Sequence, residues 1–215
     1  MKTYTITKND LDKDNFYVGK TDLTNFDGQI ESDPDLGTVK FKDGLKAKFG
    51  IWFDRGSGIK AGWEIEAGGE IKAGAGIKAG YEIKAGEGIK AGGEIEAVAG
   101  IKAGLGIKAG WEIEAGWEIE AGGEIKAGGE IKAGAGIKAG SGIAARTISA
   151  KLHILAGTCI WKIPTGIETE IRVEKVLSGT ISHGTLVLTK SKKINVSCEG
   201  KIVEIDGRKY KLTEV

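Results

Sequence analysis

The sequence predicts an all-β protein: a β-solenoid, coiled as a triangular β-helix of about 18 residues per turn, with an N-terminal cap and a C-terminal β-rich cap or domain. Three observations predict it. Ile recurs every six residues from Ile59 to Ile143 without a slip, fifteen times in all. Each Ile is followed two residues later by Ala and nearly always then by Gly, so the unit reads Ile-(Lys/Glu)-Ala-Gly-x-(Glu/Gly). Bulky residues at x fall into line at an 18-residue spacing, with Tyr81 over Trp63 and Trp117 further along the same corner. A 12-residue turn, the competing geometry, puts Gly or Ala between most of them.

A helix advances about 100° per residue, so this period would turn Ile by about 240° at each step and scatter the apolar residues over three faces. Gly in every turn would cost that helix about 1 kcal/mol each relative to Ala. In a strand, Ile and the Ala two residues on face the same way, and the Lys or Glu between them faces water. One Ile and one Ala bury too little to stand alone, so identical neighbours must stack on them in ladders about 4.8 Å apart. A flexible Gly-rich linker, suggested by 25 Gly among residues 56–142, has no reason to hold Ile in register. The spacing of Gly and only two Pro exclude collagen.

In chain order, residues 1–38 read as the N-terminal cap, with Thr3–Thr7 alternating as a strand and pieces of strand and turn from Phe16 to Gly28. A solenoid needs such a cap because its end exposes unpaired strand edges. The solenoid is expected over residues 39–160. Its beat starts at Val39, Leu45 and Ile51, whose inner partners Phe41, Ala47 and Phe53 suit a wider end turn. The step from Ile51 to Ile59 is eight, which places a two-residue insertion at Asp54-Arg55-Gly56-Ser57. After Ile143 the beat degrades through Ile148, Ile154 and Ile160, and Pro164 is expected to end the ladder. Residues 161–215 read as a β-rich domain that either closes the far end or stands beside it. Its Asp206-Gly207, between two alternating runs, signals a hairpin over residues 201–212.

The net charge of +1, from 31 Lys and Arg against 30 Asp and Glu, gives no overall pull toward nucleic acid or acidic membranes. Within the chain, residues 59–143 carry ten Lys against thirteen Glu, and residues 144–215 carry twelve Lys and Arg against seven acids. Direct nucleic-acid binding is therefore not expected of the solenoid and is left open for the basic tail around Lys190-Ser-Lys-Lys193. The N-terminus has no apolar run, and nothing approaches the roughly 18 apolar residues of a membrane helix, so no membrane partner and a cytoplasmic protein are expected. Without a signal peptide, Cys159 and Cys198 read as buried thiols rather than as a disulfide.

No motif specifies a reaction. The repeat holds no His, while His153 and His183 have no evident partner and read as structural. The two His and two Cys match no compact zinc spacing, and no phosphate-cradling loop occurs, so no metal and no cofactor are expected. The surface offers more. Trp63, Tyr81, Trp111 and Trp117 sit at x, too bulky for an Ile/Ala interior, and are expected on exposed corners. Glu64, Glu66, Glu112, Glu114, Glu118 and Glu120 form acidic strings, and Lys72, Lys90, Lys108 and Lys126 align at the 18-residue period. Such rows act either as a solvated face or as an imitation of a nucleic-acid backbone, a role that the interleaved Lys weakens.

The repeat resembles the hexapeptide repeat of left-handed β-helices, although here the small residue follows the aliphatic one instead of preceding it, which leaves handedness open. That family includes many acyltransferases, and membership would imply a catalytic His near a corner and a long loop, neither of which the repeat contains. The stretch Gly58-Ile-Lys-Ala-Gly-Trp-Glu-Ile-Glu-Ala-Gly68, with Leu155-Ala-Gly-Thr-Cys-Ile-Trp-Lys-Ile-Pro164 and Leu177-Ser-Gly-Thr-Ile-Ser-His-Gly184, resembles small hexad-repeat proteins of bacteriophages and prophages. The likeness covers most of the chain beyond residue 40 and carries no activity across. A viral lifestyle, rather than any residue, makes the expected function that of a non-catalytic protein of the bacterial host cytoplasm that binds a host macromolecule, expected to be a protein, and blocks a defence complex in the manner of an anti-CRISPR. A virion component or filament former is the alternative, a hexapeptide-type acyltransferase the second, and self-association stays open.

Overall fold

The computed structural model describes residues 1–158, 169–189, 202–205 and 208–211. It is a β-solenoid of about 8 turns, roughly 18 residues per turn, with almost no helix. Each hexad is one three-residue strand and one corner, and strands three hexads apart pair in parallel: Ile59 with Ile77, Ile77 with Ile95, Ile95 with Ile113. Three columns of strands result. The first face runs through Ile51–Phe53, Ile71–Ala73, Ile89–Ala91, Ile107–Ala109, Ile125–Ala127 and Ile143–Ala144. The second runs through Gly37–Phe41, Ser57–Ala61, Ile77–Ala79, Ile95–Ala97, Ile113–Ala115 and Glu130–Ala133. The third runs through Leu45–Ala47, Ile65–Ala67, Ile83–Ala85, Ile101–Ala103, Ile119–Ala121 and Ile137–Ala139.

All fifteen repeat Ile are at most 1% exposed, and the central residue of each strand points outward, as the alternation dictates. Backbone pairing continues around the corners: the Gly80 amide donates to the Ala61 carbonyl at 3.0 Å and the Tyr81 amide to the Trp63 carbonyl at 3.0 Å. The corner Gly is required by this close approach. A Cβ on Gly80, Gly86, Gly104 or Gly110 would lie 2.0 Å from the carbonyl oxygen of the Gly one turn back, yet none of these residues has a positive φ. Val98 takes this position once, and the bond that Gly92 makes to Ala73 at 3.0 Å has no counterpart there.

The insertion falls where expected. Ile51 pairs with Ile71 and Val39 with Ile59, each twenty residues on, and Gly56 turns the extra corner at φ +73°. Ser57 is fully buried beside it, its hydroxyl accepting from the Leu36 amide at 3.1 Å and donating to the Asp33 carbonyl at 2.9 Å.

The N-terminal segment is part of the stack as well as its lid. Gln29–Ser32 pairs with Ile51–Phe53, and Thr3–Ile6 pairs with Gln29–Ser32. Leu23 and Phe26 between these two strands, and Leu36 just after the second, cover the open end, all buried. An aromatic chain runs from Tyr17 against Phe41 to Phe41 against Phe53, with ring centroids 5.7 and 6.3 Å apart. The Thr7 amide and hydroxyl donate to Asp10 at 2.8 and 2.9 Å, and the Tyr4 hydroxyl donates to the same carboxylate at 3.0 Å. Burial pushes this carboxyl up, but those three bonds outweigh it and hold Asp10 below the ordinary carboxylate range.

At the far end, Thr147–Leu155 runs as one strand across the second and third faces, pairing with Glu130–Ala133 and then with Ile137–Ala139. The parallel stack continues past residue 160. Glu170–Val173 pairs with Ile143–Ala144, Lys175–His183 with Thr147–Leu155 through several register shifts, and Thr185–Leu188 with Glu170–Val173. Segments 170–188 thus add to the coil, while Cys159, Pro164, Cys198 and Lys190–Lys193 lie outside the described residues. The two strands flanking Asp206-Gly207, Ile202–Ile205 and Arg208–Lys211, pair antiparallel as the hairpin signal predicts.

Candidate interaction surfaces

Trp63, Tyr81 and Trp117 share the corner between the second and third faces, where the Trp117 amide donates to Ala99 and the Ala99 amide to Tyr81. The Trp63 and Tyr81 rings lie 5.0 Å apart and 9° from parallel. That separation is the strand spacing itself: identical corner backbones aim both side chains the same way, so the rings stack one turn apart. Both stay exposed, at 55% and 45%, and Trp117 is more so at 71%. Ala99 interrupts the row between Tyr81 and Trp117, leaving the width of one turn without a ring. Trp111 does not join them. It occupies the corner between the first and second faces, beside a cavity of about 400 Å³ floored by Ala75, Gly76 and Gly93.

The acidic strings are divided between two faces and largely engaged. Glu64 and Glu66 both bind Lys46, at 2.6 and 3.2 Å. Glu114 binds Lys132 at 2.6 Å, and Glu120 receives Lys102 at 2.8 Å and Lys138 at 3.3 Å from the turns on either side. The Lys102 bond holds the Glu120 carboxyl low against the opposing effect of burial, and Glu120 in turn raises Lys102. Glu112 and Glu118 are exposed at the strand entrances. On these faces Lys and Glu are interspersed, with opposed pairs such as Lys102–Glu120 and Lys132–Glu114 alongside like neighbours such as Glu96 and Glu114. Among the described residues there is no continuous acidic ladder.

The first face is different, and composition alone hides it. Its outward residues, in stacking order, are Trp52, Lys72, Lys90, Lys108 and Lys126. Trp52 was not singled out from the sequence, although its place between the inward Ile51 and Phe53 marks it as an outward residue. It is 42% exposed, and a Cβ on Gly50 would meet its indole nitrogen at 2.7 Å. Trp52 lines a cavity of about 440 Å³ with Glu31, Asp54, Arg55 and Lys72.

His153 is half-buried, its imidazole lying over Gly136, and His183 is exposed one strand further on. Among the described residues no group of three or more His, Cys, Asp or Glu is arranged to hold a metal ion, and no helix is long and apolar enough to cross a membrane. No protein-family model, no curated protein and no solved structure matches the chain, so its surfaces are read on their own chemistry.

Proposed function

We propose that the protein is a non-catalytic binding module, a rigid coil that presents the Trp63–Tyr81 pair to a macromolecular partner. Following its resemblance to phage and prophage hexad-repeat proteins, we take it to be phage-encoded, to act in the cytoplasm of the bacterial host, and to block a host defence complex by direct contact. The observation that supports this reading is the stacked aromatic pair itself. Large rings left in water are normally buried, and here the coil backbone fixes both at half exposure. Their ordering is completed by folding, so little conformational freedom remains to be lost on binding, and truncating such residues in an interface commonly costs about 2 kcal/mol or more.

The test is capture from host lysate by the tagged full-length chain, followed by titration of the captured partner against the parent and Trp63→Ala/Tyr81→Ala/Trp117→Ala. The triple variant keeps the parent's melting temperature within a few degrees and weakens the partner by about a hundredfold or more. Equal affinity in a folded variant would reduce the corner to a covering for the backbone beneath it.

A further inference from the structure

We propose that the first face binds single-stranded nucleic acid, with the backbone phosphates on the column Lys72, Lys90, Lys108 and Lys126 and a base against Trp52. The column is a line of like charges. Consecutive lysines are direct cross-strand neighbours, about 4.8 Å apart, and all four are exposed. Like charges set opposite one another oppose folding. On the other two faces the same repeat position is mixed, with Glu96, Glu114 and Glu120 set among lysines and forming Lys78–Glu96, Lys102–Glu120 and Lys132–Glu114 pairs, whereas from Lys72 to Lys126 the first face carries Lys alone. Nothing in the coil's packing calls for Lys on the first face, since the residue is outside the core. Among the described residues none of the four is held in an ion pair, and at the strand entrances of this face the acids Glu70 and Glu124 stand at the two ends of the column. Between those ends Gly88 and Gly106 replace the acid and leave a shallow trough of about 200 Å³ beside Lys90 and Lys108.

The chemistry at the end of the column selects the polymer. The Trp52 cavity sets the carboxylates of Glu31 and Asp54 beside the cations of Arg55 and Lys72, so it suits a group that brings hydrogen-bond donors along with its anion better than a bare row of anions. A polymer that alternates anionic links with flat, uncharged groups bearing amino donors satisfies both parts: phosphates on ammonium groups, a ring on the indole, and exocyclic amines on the carboxylates. That polymer is nucleic acid. A single strand fits because the cations form one line along the coil axis and because only an unpaired base can leave its neighbours to stack on an aromatic side chain. The near-neutral total charge conceals this surface, because the Glu residues that balance it lie elsewhere on the coil. The proposal is independent of the aromatic corner, which lies on the opposite edge of the triangle.

The experiment is fluorescence anisotropy with a labelled 12-nucleotide single strand and the full-length chain in 50 mM salt. Its arms are a duplex of the same sequence, inorganic polyphosphate, Lys72→Gln/Lys90→Gln/Lys108→Gln/Lys126→Gln, and the equal-charge control Lys60→Gln/Lys84→Gln/Lys132→Gln/Lys138→Gln. The column variant is expected to lose at least thirtyfold in affinity and the control less than threefold, with both retaining the parent's circular dichroism. Trp52→Ala is expected to lose at least fivefold. With four phosphate contacts, raising salt from 50 to 200 mM should weaken the parent by about fiftyfold. Absence of binding by the parent, equal losses in column variant and control, or tighter binding of duplex or polyphosphate than of the single strand would each overturn the proposal.

Discussion

The central coils and the N-terminal end solve the same problem by opposite means. From Ile59 to Ala139 each turn is covered by a copy of itself, so one Ile, one Ala and one Gly per hexad suffice, and side-chain hydrogen bonds are confined to the surface. The first turn has no such copy beneath it. There the inner Ala gives way to Phe41 and Phe53, and residues 1–38 use five buried apolar residues and a network around Asp10 to close the end. A ladder propagates from local rules, whereas its termination needs particular residues that fit only one place. Damage to the coil should therefore be read by every neighbour, and damage to the cap should stay near the end.

The largest effect expected is from Ile101→Lys, which buries an unpaired ammonium in the middle of the ladder. It should cost about 5 kcal/mol or more and abolish the cooperative melt. Lys102→Glu, one residue away, sets a carboxylate against Glu120 and should cost about 1 kcal/mol at most. Similar melting temperatures for the two would reverse the assignment of inside and outside.

Phe53→Ala should cost about 3–5 kcal/mol, but locally. Phe53 is 1% exposed and packs on Phe41, so amide hydrogen exchange should accelerate over residues 1–53 while Ile95–Ala139 stays protected. Uniform loss of protection would show that cap and coil unfold as one unit.

Gly110→Ala separates the two uses of Gly in the coil. Its Cβ would stand 2.0 Å from the Gly92 carbonyl oxygen, and the overpacking should cost about 1–3 kcal/mol. Gly88→Ala meets nothing nearer than 3.4 Å and should be neutral or stabilise by up to about 1 kcal/mol through the unfolded chain. Chemical denaturation of both variants checks the sign.

The smallest effect is the pH dependence that Asp10 gives the cap. The Asp10 carboxyl is held low when folded, so its contribution is present above its unfolded value and is lost as pH falls through the folded one. Protection against exchange at the N-terminal end, relative to the intrinsic rate at each pH, should fall below about pH 4 in the parent, whereas Asp10→Asn, about 1 kcal/mol weaker at neutral pH, should lack that fall.

The sequence by itself determined the period, the strand and corner within each hexad, and which residues face inward. All of these follow from the pleat and from side-chain alternation, which are local. It also located the insertion at Asp54–Ser57 and the hairpin around Asp206-Gly207, because a break in a strict beat and an Asp-Gly turn are both read without knowing the neighbours. The Trp63 and Tyr81 positions were legible for the same reason, and their stacking followed once the turn was 18 residues. What the tertiary structure decided is who meets whom. Trp111 falls on a different corner from Trp63, Glu66 and Glu120 are tied to lysines of adjacent turns, and the four lysines that the 18-residue period aligns are left, among the described residues, without an ion-pair partner beneath Trp52. Likewise, the corner Gly owes its place to a carbonyl oxygen one turn away and not to its own φ. The physical reason is common to all of these. The backbone sets the direction of a side chain, but only stacking brings residues 18 apart to within one strand spacing, and charge, ring contact and close approach depend on that distance.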